Sequence, residues 1–145
     1  PICSDGTPQG VFCIEERGES WTWQYRLLGE SSDTQLLVWQ EGEVKNHEDS
    51  IIVKAIGWDD RWQVEWFENG EKRGAMDYLE MYDPGYMNYV EYSANYNDVI
   101  MQRLRRSAYP TKGYYKCKRT IPNSEITIIA TDRFGRQYKW DSATK

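Results

Sequence analysis

Apolar and polar residues alternate at period two along much of this chain, in short runs cut by turn signals, and that pattern limits the fold more than any other feature. A strand turns successive side chains to opposite faces, so alternation marks a half-buried strand. Trp21, Trp23, Tyr25 and Leu27 share one face, opposite Thr22, Gln24 and Arg26. Ile51, Val53 and Ala55 lie opposite Lys54, and Trp62, Val64 and Trp66 alternate with Gln63 and Glu65. Asn69-Gly70 follows, a strong two-residue hairpin signal because a type I′ turn needs positive φ at both central positions. The returning strand is expected over Glu71 to Leu79. Leu36 to Trp39 is a short apolar run. Ile126, Ile128 and Ala130 form a further strand face, Asp132-Arg133-Phe134-Gly135 turns the chain, and Tyr138 and Trp140 continue on a last strand. Short strands with turns at this spacing predict an all-β sandwich or barrel.

Composition matters because such a fold needs a core. Only 26 of the 145 residues are Leu, Ile, Val or Phe, under the ~20% level at which disorder becomes a live reading. Seven Trp and 11 Tyr supply the missing apolar area, at about 150–250 Å² for each buried aromatic. The chain therefore reads as one folded domain, 1–145, with an aromatic core that includes Trp21, Trp23, Trp62 and Trp66. Trp39 and Trp58, at strand ends, stay open as candidates for ligand binding. No apolar run approaches the ~20 residues of a membrane span. Segment 1–15 lacks the basic start and apolar run of a leader peptide, and the opening at Pro1 reads as a fragment boundary.

Residues 83–110 break the pattern. Asp83-Pro84-Gly85 and scattered tyrosines precede Asn97 to Arg106, where Asp98 can cap a short helix over Val99, Ile100, Met101 and Leu104. This stretch reads as a partly helical insertion between sheet edges. No acid occurs from Val99 to Ser124, while Arg103, Arg105, Arg106, Lys112, Lys116, Lys118 and Arg119 interleave with Tyr109, Tyr114 and Tyr115. Basic and aromatic residues together can hold single-stranded nucleic acid. The net charge of −5 and pI near 5.0 argue against that, and the patch is expected to balance acids on a neighbouring strand or a partner domain. Arg103, Arg105, Arg106, Tyr114 and Tyr115 are the candidate partner contacts.

Catalytic constellations are sparse. His47 is the single histidine, so a two-metal phosphoesterase centre cannot be assembled from this chain, and His47 reads as a solvated loop residue. No Gly-x-Ser-x-Gly elbow and no phosphate-cradling glycine loop is present. Glu15-Glu16 and Asp59-Asp60 read as a strand pair and a polar turn rather than as glycosidase acids. Cys3, Cys13 and Cys117 form no Cys-x-x-Cys motif and leave the disulfide state open.

Three motifs nevertheless form a familiar set. Asp5-Gly6-Thr7-Pro8-Gln9-Gly10 heads the chain. Trp62-Gln63-Val64-Glu65-Trp66, Asn69-Gly70, Gly74-Ala75-Met76 and Tyr82-Asp83-Pro84 mark a central hairpin, and Thr131 to Tyr138 marks a closing one. In this order they resemble the C-terminal domain of secreted bacterial calcineurin-like phosphoesterases, over nearly the whole length. Gly113-Tyr114-Tyr115-Lys116-Cys117 departs from a family segment that often bears a Trp. The chain is expected to fold as an immunoglobulin-like β-sandwich with the partly helical insertion near 83–110, and the resemblance implies a β-rich module. It implies an accessory domain without catalytic or metal-binding residues, packed on a metal-dependent catalytic domain of the same chain. No cofactor is expected here; the divalent metals belong to that catalytic domain. A secreted, periplasmic or cell-envelope setting is implied too, with neither nucleic acid nor a membrane span. A glycan- or envelope-binding module is the alternative, resting on Trp39, Trp58 and the surface tyrosines.

Overall fold

The computed structural model describes Cys3 and residues 5–94 and 98–144. Among them are ten strands and two helices: β1 (Gly10–Arg17), β2 (Ser20–Leu27), β3 (Leu36–Trp39), β4 (Ile51–Ala55), β5 (Gln63–Glu68), β6 (Glu71–Ala75), β7 (Asp77–Met81), α1 (Pro84–Ala94), α2 (Asp98–Ser107), β8 (Thr111–Cys117), β9 (Ile126–Thr131) and β10 (Gln137–Asp141). The strands form two four-stranded sheets, β10-β9-β5-β6 and β3-β4-β8-β7, and a separate β1-β2 hairpin. Every pairing is antiparallel. The molecule is mostly β, as the alternation predicts.

The two larger sheets share one core. Ile51, Val53 and Ala55 of β4 with Tyr115 and Cys117 of β8 meet Val64 of β5, Ile126, Ile128 and Ala130 of β9, and Tyr138 of β10. This is the arrangement of a sandwich, in which alternate residues of each sheet interdigitate. Trp62 enters from the loop before β5 and stacks on Tyr138, ring centroids 5.7 Å apart. Every β4 residue is buried because its sheet is covered on both sides. Ile52 and Tyr114 on the outer face pack with Val44, Trp39, Leu79 and Met81.

The turns follow their chemistry. Asn69 and Gly70 both have positive φ, 51° and 79°, as a type I′ turn requires. The Asn69 side chain also accepts the Glu125 N–H at 2.9 Å. Asp132 accepts the N–H groups of Phe134 and Arg136 on one oxygen, and its other oxygen takes the Arg136 guanidinium at 2.6 Å.

The structure corrects three expectations. The strand after Asn69-Gly70 is not one strand over Glu71 to Leu79. It divides at the buried Met76, so that β6 stays with β5 and β7 crosses to pair with β8. The insertion holds two helices where the sequence pointed to one. Asp83-Pro84 is a helix start, with Asp83 Oδ1 accepting the Tyr86 N–H at 2.7 Å and Pro84 at the first helical position, where a missing N–H costs nothing. Trp21 and Trp23 do not join the core: Trp21 stands 54% exposed, and Trp23 packs edge-on against Phe134 outside it. Of the α2 face, Val99 is exposed, whereas the side chains of Ile100, Met101 and Leu104 lie outside those described.

Candidate functional site

Asp5-Gly6-Thr7-Pro8 is held by a buried polar network. Lys54, on the outer face of β4, is 4% exposed. Its ammonium lies 3.5 Å from the Asp83 carboxylate and donates to the Asp5 carbonyl. Asp83 also accepts the Tyr114 hydroxyl at 2.6 Å and caps α1. A Cβ on Gly6 would fall 1.7 Å from Asp83 Cγ, so only glycine admits this contact. Burial draws the Lys54 ammonium below its ordinary range, opposed by the Asp83 charge. Burial, then the hydrogen bond to Asp83, pushes the Tyr114 phenol up. These groups satisfy one another, as buried charges must.

Glu68 is the second buried acid. It accepts the N–H groups of Thr120 and Ile121 at 2.7 and 3.0 Å, the Ser124 hydroxyl at 2.7 Å, the Thr120 hydroxyl and the Arg73 guanidinium. Burial alone would raise its carboxyl; the donors from Thr120, Ile121 and Ser124 prevail and hold it at about 2. Its role is to order the chain between β8 and β9.

Among the described residues no group of three or more His, Cys, Asp and Glu is placed to hold a metal, and the residues present do not fit a dinuclear centre. His47 is half-buried in the loop between β3 and β4. Asp59 accepts the Arg61 N–H and pairs with Arg133 at 2.6 Å, so Asp59-Asp60 is the polar turn the sequence suggested. The three cysteines are free thiols. Burial pushes the Cys117 thiol up to about 12, which leaves it unreactive.

Two candidate partner contacts are corrected. Tyr114 is fully buried and Tyr115 nearly so, Tyr115 accepting the Trp58 Nε1–H at 2.8 Å; both belong to the sheet, not to its surface. Arg103 and Arg106 are exposed on α2, and the side chain of Arg105 lies outside those described. The basic stretch beyond them balances neighbouring acids: Lys112 with Glu80, Lys118 with Asp49 and Arg119 with Glu41. Trp39 packs on Tyr114 as part of the outer core. Trp58 stacks on Tyr78 at 5.5 Å and lines an open groove of about 730 Å³ with Phe12, Tyr25, Gly57, Tyr109 and Pro110.

The β1-β2 hairpin forms one side of that groove. Its register sets Phe12 opposite Tyr25 and Ile14 opposite Trp23, so these side chains share a face with Trp21. Phe12, Ile14 and Trp21 are more than half exposed. Periodicity found this face through Trp21, Trp23 and Tyr25 but carried no information about what covers it.

The chain matches no curated protein and no solved structure. A family described as the C terminal of calcineurin-like phosphoesterase matches residues 1–138, a range that takes in the Asp5–Pro8 network, the central hairpin and most of the closing one. On that match the chain belongs to the C-terminal family of the calcineurin-like phosphoesterases.

Proposed function

We propose that the chain is a non-catalytic accessory domain of a secreted calcineurin-like phosphoesterase, which packs on the metal-dependent catalytic domain and orients it. One contrast carries this reading. The acids and cations that chemistry could recruit, Lys54, Asp83, Glu68 and Asp132, are committed to structural bonds, while large apolar side chains on the hairpin are left open to a partner. The two antiparallel sheets over an aromatic-bearing core favour an immunoglobulin-like arrangement. The secreted or cell-envelope setting rests on the resemblance alone. With added divalent metals, residues 1–145 by themselves are expected to turn over no phosphoester. In the intact enzyme, removing this domain is expected to lower the melting temperature of what remains. Turnover by 1–145 that is lost in His47→Ala overturns the reading.

A glycan-binding role is the second reading, favoured by Trp58 and Tyr109 beside an open groove. Aromatic rings present flat apolar faces that suit a sugar ring. Trp58→Ala should abolish retention on an envelope-polysaccharide column if this reading holds, and no retention of the unaltered protein dismisses it.

A further inference from the structure

The hairpin is amphipathic with its apolar side turned outward. Phe12, Ile14, Trp21, Trp23 and Tyr25 lie on one face, where Glu16 opposite Trp21 marks the polar end; Val11, Cys13, Glu15, Thr22, Gln24 and Arg26 lie on the other. Phe12 is 60%, Ile14 63% and Trp21 54% exposed. Contiguous apolar surface of this kind is a mark of an interaction site.

Its base is rigidly set. Arg136 donates to the Trp23 carbonyl, Gln35 donates to the Tyr25 carbonyl at 2.8 Å, and the Gln24 amide reaches the Tyr138 hydroxyl at 3.1 Å. Trp23 is further clamped edge-on by Phe134 and lies beneath the Arg133 guanidinium. Beyond that base nothing described covers the apolar face. Among the described residues β1 pairs with β2 alone, so its outer edge keeps open backbone groups. A two-stranded hairpin is marginal without a further layer. The hairpin thus has a fixed orientation, a bare apolar face and an unused edge, and the Trp58 groove continues that face inward.

We propose that this face, with Phe12, Ile14 and Trp21 as anchors, is the surface on which the phosphoesterase domain of the same chain docks. The proposal rests on the accessory-domain reading and adds the surface to it. The choice of occupant follows from the family. Its description makes this the C-terminal part of a phosphoesterase, so the catalytic part approaches from the side of residue 1. β1 is the first strand it meets. A partner tethered by a short flexible linker is present at about millimolar effective concentration, enough to close a modest apolar contact. A second copy or a free glycan has no such advantage. Trp21 is the kind of residue that dominates such contacts.

The experiment uses the intact phosphoesterase chain carrying this domain. A photo-crosslinking side chain is placed in turn at positions 12, 21 and 103, and cross-linked peptides are identified by mass spectrometry. Amide exchange is followed in parallel in the unaltered chain and in Ile14→Glu, Trp21→Ser and Ile121→Ser. Cross-links from 12 and 21 into the phosphoesterase part are expected. So is exchange of the β1 amides about tenfold faster in Ile14→Glu and Trp21→Ser, equivalent to ~1.4 kcal/mol of lost contact, with no change in Ile121→Ser. Should Ile14→Glu unfold the hairpin, the cross-links still decide. Cross-links from 103 only, with 12 and 21 silent, overturn the surface while the accessory reading stands. No cross-link from any position overturns both. Cross-links between two copies, or protection of β1 that depends on added glycan, overturn the proposal in favour of those occupants.

Discussion

Single residues explain why the opening motif takes the form it does. Gly6 has φ of 74° and lies against the Asp83 carboxylate, so alanine meets both a strained backbone and a clash. Gly6→Ala is expected to cost about 2–4 kcal/mol, read as a lowered urea midpoint with an unchanged slope. Glu68 gives a pH dependence. Its folded carboxyl is held at about 2 against an ordinary 4.5. A lowered folded value stabilises the fold above the unfolded value, and that contribution fades as pH falls from about 4.5 towards about 2. Glu68→Gln should therefore flatten the acid side of a plot of melting temperature against pH in that window. An unchanged acid limb would show that Glu68 does not govern it. None of this was legible in the sequence, where Lys54 read as the polar member of an alternating strand and Glu68 carried no signal of its own. Burial of a charge depends on what covers the strand, which alternation does not record.

At the scale of elements, legibility followed local chemistry. Asn69-Gly70 and the Asp132 turn were readable because backbone geometry and side-chain hydrogen bonds within a few residues dictate them. α2 was readable as a short helix, and it spans Asp98–Ser107, while the side chains of the Asp98 cap and of Ile100, Met101 and Leu104 lie outside those described. α1 was missed because Asp-Pro-Gly signals a turn and a capped helix start equally well. The deciding partners, Lys54 and Tyr114, come from β4 and β8. The division between β6 and β7 was hidden because alternation through Gly74, Met76 and Tyr78 continues across the switch. Met76 is the residue that makes the switch stable: its side chain is buried in the shared core while its N–H donates to the Val64 carbonyl at 2.8 Å. Met76→Ala is expected to cost about 2–5 kcal/mol and to loosen both sheets together. Amide exchange that quickened in β6 but not in β7 would contradict that linkage.

At the scale of the molecule, the aromatic side chains that compensate for few aliphatics serve two ends. Trp62, Tyr115 and Tyr138 fill the sandwich, whereas Phe12 and Trp21 stand outside it. The sequence pattern delivers Trp21, Trp62 and Tyr138 alike as strand faces, and only the sheet layout separates them. The Asp83 network has a further consequence, in kinetics. It joins the Asp5 carbonyl to Lys54, 49 residues on, and Asp83 to Tyr114, 31 residues on. Loops of that length close at an entropic cost before any contact repays it. The ion pair is thus expected to form after the rate-limiting step of folding. Lys54→Met, which strands a buried carboxylate at a cost of about 3–5 kcal/mol, should speed unfolding by roughly two to four orders of magnitude and leave refolding nearly unchanged. A variant that slowed refolding instead would place the network in the nucleus. On the expected outcome, the helical excursion is the last part of the chain to lock and its release opens the route back to the unfolded state.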